Sequence, residues 1–314
     1  AFKNAKAKGW IPENAQLTPR HPRLAAWDSI PDDQKPFQSR LMEVLAGFAE
    51  HTDHQVGRIV SEIERLGYEE NTLVVYIWGD NGSSGEGQDG TISELLAQNS
   101  VASEIEQHIE VLNELGGLDA LGSPLVDNMY HAGWAWAGST PYQGMKLMAS
   151  YFGGTRNPMM IKWPKGIKPD PKPRSQFHHC NDLVPTIYEL VGITPPKMVN
   201  GVTQDPIHGT SFAYAFNAPD APGELHTQFF DIMGSRSIYH NGWMAGAVGP
   251  RLPWVKGVDP DILTWSPDTD DWELYNIEED WSQSKNVAAE YPEKLQMLKN
   301  LFLVESAKYK NMPI

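Results

Sequence analysis

Residues 73–90 read LVVYIWGDNGSSGEGQDG. The first half is an apolar run of strand length, rich in β-branched and aromatic residues, which is the pattern of a strand buried on both faces. It stops at Gly79 and passes directly into a polar, glycine-dense loop. Upstream, between Pro31 and Leu66, the residues Phe37, Leu41, Leu45, Phe48, Val56, Ile59, Ile63 and Leu66 recur at helical spacing, and Gly67 supplies a stop. That spacing predicts one long amphipathic helix. A helix followed by a buried strand marks the α/β class, in which ligands sit past the carboxyl ends of strands. The loop that begins at Asp80 is therefore the first place to look for chemistry.

Downstream, 91–97 and 101–115 predict two short helices, and 116–140 is a Gly/Trp-rich irregular stretch expected as a surface insertion. NPMMIKWP (157–164) reads as a short strand ended by proline, and KGIKPDPKPR (165–174) as an exposed, proline-stiffened loop. NDLVPTIYELVGI (181–193) predicts a helix with Asp182 as cap, Pro185 in the first turn and Gly192 at its end. From Thr227 the texture changes to short β-prone pieces, TQFFDIM (227–233), RSIYHNGWMAGAV (236–248) and WELYNI (272–277). An antiparallel sheet is expected there. The closing stretch 288–309 predicts an amphipathic helix through Leu295, Leu298, Phe302 and Val304. The resulting division is a main α/β part over 1–226, carrying the insertion 116–140, and a small subdomain over 227–314.

Charge narrows the function. Across 314 residues, 25 Lys and Arg stand against 40 Asp and Glu, a net charge of −15 that repels nucleic-acid backbones and anionic membrane surfaces. No nucleic-acid or membrane partner is expected. The sequence has no apolar run of ~18 residues, and its mean hydropathy is −0.43. The opening AFKNAKAKGWIPENAQL has no apolar core of a secretory signal and no initiator Met, which suggests a processed product or a fragment. With Cys180 as the single cysteine, no intrachain disulfide can form. These features leave the compartment open.

Asp80 and Asn81 are adjacent oxygen donors that can present a carboxylate and an amide carbonyl to a hard cation such as Ca²⁺ or Mg²⁺, or form a polar turn. An EF-hand does not fit, because Thr91 stands where its bidentate Glu belongs, and no G-x-G-x-x-G follows the strand. Lys146 is either a solvated lysine or, in a pocket, a compact point charge for a tetrahedral oxyanion. Arg156, past a Gly-Gly pair, can do the same or hold the loop. His178 and His179 read as structural histidines, and Cys180 lacks an activating motif. Trp134 and Trp136 either stack on a ligand ring or anchor their segment to the body.

Taken in order, ENTLVVYIWGDNG (70–82), GMKLMASYFGGTRNPMMIKWPKGI (144–167), RSQFHHCNDLVPTIYELVGITPP (174–196) and WELYNIEEDWSQSKNVA (272–288) resemble the distal portion of bacterial arylsulfatases. GWIPENAQLTPR (9–20) and DHQVGRIVSEIERLG (53–67) fit the same family, so the resemblance spans nearly the whole chain. It implies part of an alkaline-phosphatase-like α/β fold, a mixed central sheet flanked by helices, followed by a small C-terminal α+β subdomain of antiparallel strands with a terminal helix. It implies that Asp80 and Asn81 bind the divalent cation, Ca²⁺ or Mg²⁺, and that Lys146 contacts the sulfate. Trp134 and Trp136 become candidates for stacking on the substrate, a small-molecule or glycan sulfate ester.

The family's nucleophile is a formylglycine made from Cys or Ser within C/S-x-P/A-x-R, accompanied by paired aspartates that complete the metal site. No such motif occurs here, since Cys180 is followed by Asn181-Asp182-Leu183 and no Ser has that context. The resemblance therefore implies a missing N-terminal part of the same enzyme as partner, and predicts that this chain alone is inactive. A phosphodiesterase or phosphonate hydrolase of the same superfamily, and a non-catalytic remnant that binds sulfated ligands, are the alternative readings.

Overall fold

The computed structural model describes residues 2–99, 101–170, 172–256 and 260–312. A short helix α1 (Phe2–Ala7) and an extended segment lead into α2 (Lys35–Arg65), the 31-residue helix expected from the spacing. Pro36 sits in its first turn, where the missing N–H costs nothing, and Gly67 follows it at φ +76°. The helix is buried only near its start. Phe37 and Leu41 pack with Ile92, Ile105, Leu112 and Leu121. Beyond that, Phe48 and Ile59 are 69% and 64% exposed, because a helix of about 46 Å outruns the segment that covers it. At its far end Val60 and Ile63 line a shallow cleft with Thr72, Val74 and Lys162.

The apolar run forms β1 (Val74–Ile77), which pairs antiparallel with β2 (Met159–Lys162) in the register Val74↔Lys162 to Ile77↔Met159. Burial on both faces was expected of β1. Instead it is half-buried and Ile77 is exposed, because β2 is its sole sheet partner among the described residues and the other edge lies open.

Two short helices follow, α3 (Glu94–Gln98) and α4 (Ile105–Glu114), the first capped by Ser93 and the second by the reciprocal pair Glu104 and Gln107. Residues 116–140 differ from the irregular surface insertion that their composition suggested. They contain α5 (Ala132–Gly138), whose Ala132 and Ala135 are fully buried. The small residues that made this stretch look loop-like are what lets the helix approach its neighbours closely. His131 caps it, accepting the Gly133 N–H at 2.7 Å on Nδ1. A single turn, α6 (Phe152–Thr155), precedes β2.

Helix α7 (Leu183–Val191) ends at Gly192 in the left-handed region, as expected. Asp182 does not cap it. Its buried carboxylate accepts the His179 and Thr210 N–H groups at 2.8 Å each, closing the turn before the helix and tying it to a later loop. A small hairpin, β3 (Met198–Val199) and β4 (Val202–Thr203), turns on Asn200-Gly201.

The C-terminal strands β5 (Thr227–Ile232), β6 (Ser235–His240), β7 (Trp243–Ala247) and β8 (Glu273–Asn276) form an antiparallel sheet in chain order, backed by α8 (Pro292–Lys308). Because side chains alternate along a strand, this sheet is apolar on both faces. Ile238, Ala245 and Leu274 meet Leu298 and Phe302 of α8. Tyr239, Met244 and Tyr275 face the other way and share a core with Ala132, Ala135, Met145, Met148, Tyr151 and Phe152. The sheet thus carries the segment 132–156 on its back. Val304, assigned to the buried face of α8 by the sequence pattern, is 60% exposed, whereas Phe302 is fully buried.

That contrast sets a stability test. Phe302→Ala should cost about 3–5 kcal/mol through the cavity it leaves, and Val304→Ala should stay within about 0.5 kcal/mol of the parent protein. Urea denaturation followed by tryptophan fluorescence measures both, and comparable losses would contradict this placement of α8.

Candidate functional site

The loop after β1 is held by backbone contacts. Trp78 N–H donates to the Pro158 carbonyl at 3.2 Å, extending the β1–β2 ladder by one step. Two glycines in the left-handed region then turn the chain, Gly79 at φ +73° and Gly82 at φ +79°. Gly82 N–H donates to Asn157 Oδ1 at 3.1 Å. A β-carbon on Gly82 would fall inside the van der Waals sphere of the Gly153 carbonyl oxygen, so only glycine fits. Between these fixed points Asp80 and Asn81 are exposed, and their side chains make no hydrogen bond or ion pair among the described residues.

Lys146 lies against the same loop. Its N–H donates to the Ser83 carbonyl at 3.0 Å, and its ammonium is ion-paired with Glu86. Ser84 Oγ also donates to Glu86 Oε2, at 3.0 Å, while Ser84 N–H donates to the Tyr130 hydroxyl at 3.1 Å. Burial alone would push the Glu86 carboxyl up, but the Lys146 and Ser84 hydrogen bonds and the lysine charge outweigh it and hold the group below the ordinary glutamate value. The Lys146 side chain, 31% exposed, is thereby aimed and left partly open to solvent. Glu86 is the residue that sequence reasoning missed. Its signal was an acidic side chain inside a glycine-dense loop, which by itself reads as solubilising.

Arg156 is brought close but serves packing. Its guanidinium stands 4.1 Å from the Trp281 ring centroid and 5.2 Å from that of Phe152, and Nη1 donates to the Trp281 carbonyl at 3.3 Å. Burial lowers its pKa, with the Tyr142 phenol opposing. Trp134 donates from Nε1 to the Gln38 carbonyl at 3.0 Å and packs on Trp27, and Trp136 joins the core around α5. Both indoles are engaged in packing between elements. His178 lies on Phe212 with a centroid separation of 4.9 Å, and His179 accepts the Asn181 N–H on Nδ1. Burial lowers the pKa of both histidines against the opposing charge of Asp182. Cys180 is exposed beside them.

No three His, Cys, Asp or Glu side chains converge on a metal position among the described residues. Asp80 and Asn81 nevertheless offer the donor chemistry of a hard cation: one carboxylate and one amide oxygen, exposed, unpaired and fixed at a strand end. Ca²⁺ takes about 6–8 oxygens, so these two donors alone would not complete a coordination sphere.

The model of the Sulfatase family matches residues 5–193. An uncharacterized sulfatase of Schizosaccharomyces pombe is 27% identical over 307 residues, covering 96% of this chain and 50% of its own length. An arylsulfatase of Klebsiella aerogenes is 24% identical over 208 residues, covering 66% of this chain and 41% of its own. The chain thus spans half or less of the length of these curated relatives. A solved structure from the Bacteroides thetaiotaomicron locus that metabolises multiple glycosaminoglycans superposes with a TM-score of 0.51 at 19% identity, over 82% of this chain and 43% of that one. That likeness shows the alkaline-phosphatase-like α/β fold.

The Glu86–Lys146 pair has a pH signature. Because the folded-state pKa of Glu86 is depressed, its contribution is present above the unfolded value of about 4.3 and is lost as pH falls through the folded value. The difference in urea midpoint between the parent protein and Glu86→Gln should be constant from neutral pH down to the carboxylate range and then shrink. A difference that stays flat into strong acid would mean that the pair contributes nothing through charge.

Proposed function

The chain belongs to the sulfatase family, and from that premise we propose that it is part of an arylsulfatase-type hydrolase of sulfate esters. In this reading Asp80 and Asn81 supply part of the Ca²⁺ or Mg²⁺ site and Lys146 contacts the sulfate. The observation that carries it is the joining of Lys146 to the loop that begins at Asp80 and Asn81, through Ser83 at the backbone and Glu86 at the side chain.

A divalent cation held in part by Asp80 and Asn81 would supply Lewis-acid polarisation of the sulfate ester. Lys146 carries three N–H donors on one charge. Glu86 takes one of them and fixes the direction of the ammonium, leaving the others for sulfuryl oxygens whose charge grows as the ester bond breaks. A donor oriented in advance costs no reorganisation at that moment. Glu86, itself fixed by the Ser84 hydroxyl, holds the ammonium, and the Gly82–Asn157 hydrogen bond holds the loop that carries the two cation ligands.

Neither Lys146 nor the Asp80–Asn81 pair is a nucleophile. The sequence has no C/S-x-P/A-x-R segment, so we assign the formylglycine nucleophile and the remaining metal carboxylates to polypeptide outside these 314 residues. The substrate class is a small-molecule or glycan sulfate ester.

Two measurements test this reading. In the full enzyme, Lys146→Ala should lower kcat by roughly 10²–10³, the worth of one oriented oxyanion donor, and Lys146→Arg should rescue poorly because its planar fork replaces a compact charge. Lys165→Ala should be silent, since that side chain is exposed on the loop after β2. Steady-state kinetics on nitrophenyl sulfate, with variants that melt alike, decides it. Equal activity of Lys146→Ala and the parent enzyme would remove the sulfate contact. Calorimetric titration of this chain alone with Ca²⁺ should show no submicromolar site, because two oxygens fall far short of the six to eight a tight site needs.

A further inference from the structure

Asn81 is followed by glycine, the neighbour that least hinders attack of a backbone nitrogen on an asparagine side chain. The sequence contains two other Asn-Gly steps, Asn200-Gly201 and Asn241-Gly242. Both lie in hairpin turns, the first between β3 and β4 and the second between β6 and β7. Asn200 and Gly201 are exposed, and the Gly201 N–H makes no hydrogen bond among the described residues. The Gly82 N–H, by contrast, is donated to Asn157 Oδ1 at 3.1 Å.

We infer that Asn81 is a deamidation site under the control of Asn157. The reaction needs the Gly82 nitrogen as nucleophile. Solvent base removes its proton, the nitrogen attacks Asn81 Cγ, and a C–N bond forms as the Cγ–Nδ2 bond breaks and ammonia leaves. Water then opens the resulting succinimide at one of its two carbonyls, giving aspartate or isoaspartate at position 81. Asn157 blocks the first step twice. Removing the Gly82 proton forfeits the hydrogen bond, and the amide anion that results faces the lone pairs of Oδ1. The Gly153 carbonyl beneath Gly82 also limits rotation of the peptide plane that ring closure requires.

Asn157 is itself well held. Arg156 N–H donates to the Phe152 carbonyl at 2.8 Å on one side, and the Pro158 carbonyl receives Trp78 N–H on the other. These bonds fix the backbone from which the Asn157 side chain reaches Gly82. In the sulfatase reading Asn81 is a cation ligand, so isoaspartate there would displace a ligand oxygen by one methylene and slowly retire the enzyme. Asn157 is then a positioning residue for the cation site and its chemical guard.

The test is peptide mapping by mass spectrometry of the folded chain held at mildly alkaline pH, with rates read at Asn81, Asn200 and Asn241 in the same sample. In the parent protein Asn81 should deamidate more slowly than Asn200. Asn157→Ala should speed Asn81 about fivefold, the worth of one net hydrogen bond, and leave Asn200 unchanged. Asn157→Asp keeps an oxygen acceptor and should remain slow. Asn81 deamidating as fast as Asn200 in the parent protein, or at an unaltered rate in Asn157→Ala, would overturn the inference. If Asn157→Ala loosens the whole fold, Asn241 accelerates too, and Asn157→Asp then decides: slow at Asn81 supports the guard, fast refutes it. These rates do not depend on sulfatase activity, so the inference and the functional reading can fail separately.

Discussion

Three stretches of backbone meet in this molecule with no side chain between them. Gly82 lies on the Gly153 carbonyl, and Gly153 lies in turn on the carbonyls of Gln143 and Gly144, at distances that no β-carbon could share. Close-packed backbone buries polar groups, which must then be satisfied. Gln143 carbonyl accepts the Gly153 N–H at 3.0 Å, and the fully buried Gln283 accepts the Phe152 N–H at 2.7 Å while donating to the Ser150 carbonyl. Everything attributed to the site hangs on this contact. It places Lys146 two residues from Gly144, Asp80 and Asn81 next to Gly82, and Asn157 just beyond the Gly153–Gly154 turn.

The C-terminal sheet is the platform under that contact. Its strand faces are used separately, one for α8 and one for the 132–156 segment, and polar side chains stitch the second seam. Ser237 Oγ donates to the Ala149 carbonyl at 2.6 Å, and Ser235 Oγ accepts the Ser150 N–H at 3.3 Å. Arg236, almost wholly buried, is neutralised by Asp270 at 2.6 Å and flanked by Trp265 and Trp272. A cation so placed is tolerable only because its charge and its donors are both answered. The small sheet far from Asp80 in sequence thus sets the position of the site's lysine.

Much of this was legible in the amino-acid order. The spacing of Phe37 and Leu41 gave the long helix, the short β-prone pieces from Thr227 gave the antiparallel sheet, and Gly192 marked the end of α7 because a left-handed stop is a local matter. What escaped was set by tertiary contact. The small residues of 132–138 look like loop and fold as a helix because close approach to a core demands them. Glu86 is acidic in a glycine-rich loop and becomes a counter-ion only when Lys146, 60 residues away, arrives. Val304 stands two residues after Phe302, a rotation of about 200° around the helix, so it faces solvent while Phe302 faces the sheet. For Trp134, Trp136 and Arg156 the sequence left two readings open, because which contacts each makes is a property of the assembled chain.

Helix α2 carries a mechanical consequence. It is anchored at two places, at its start by Phe37 and Leu41 in the core and at its end by Lys162, which reaches Glu64 at 3.0 Å and Glu69, just past the helix, at 2.7 Å. The turns between, around Phe48 and Arg58, touch little. Turns so little covered belong to the low-stability end of the molecule's opening free energies, so the central amides of α2 should exchange before those at its buried start. At the buried end of the helix, Gln38 donates to the Asp89 carbonyl and closes the far side of the loop that begins at Asp80.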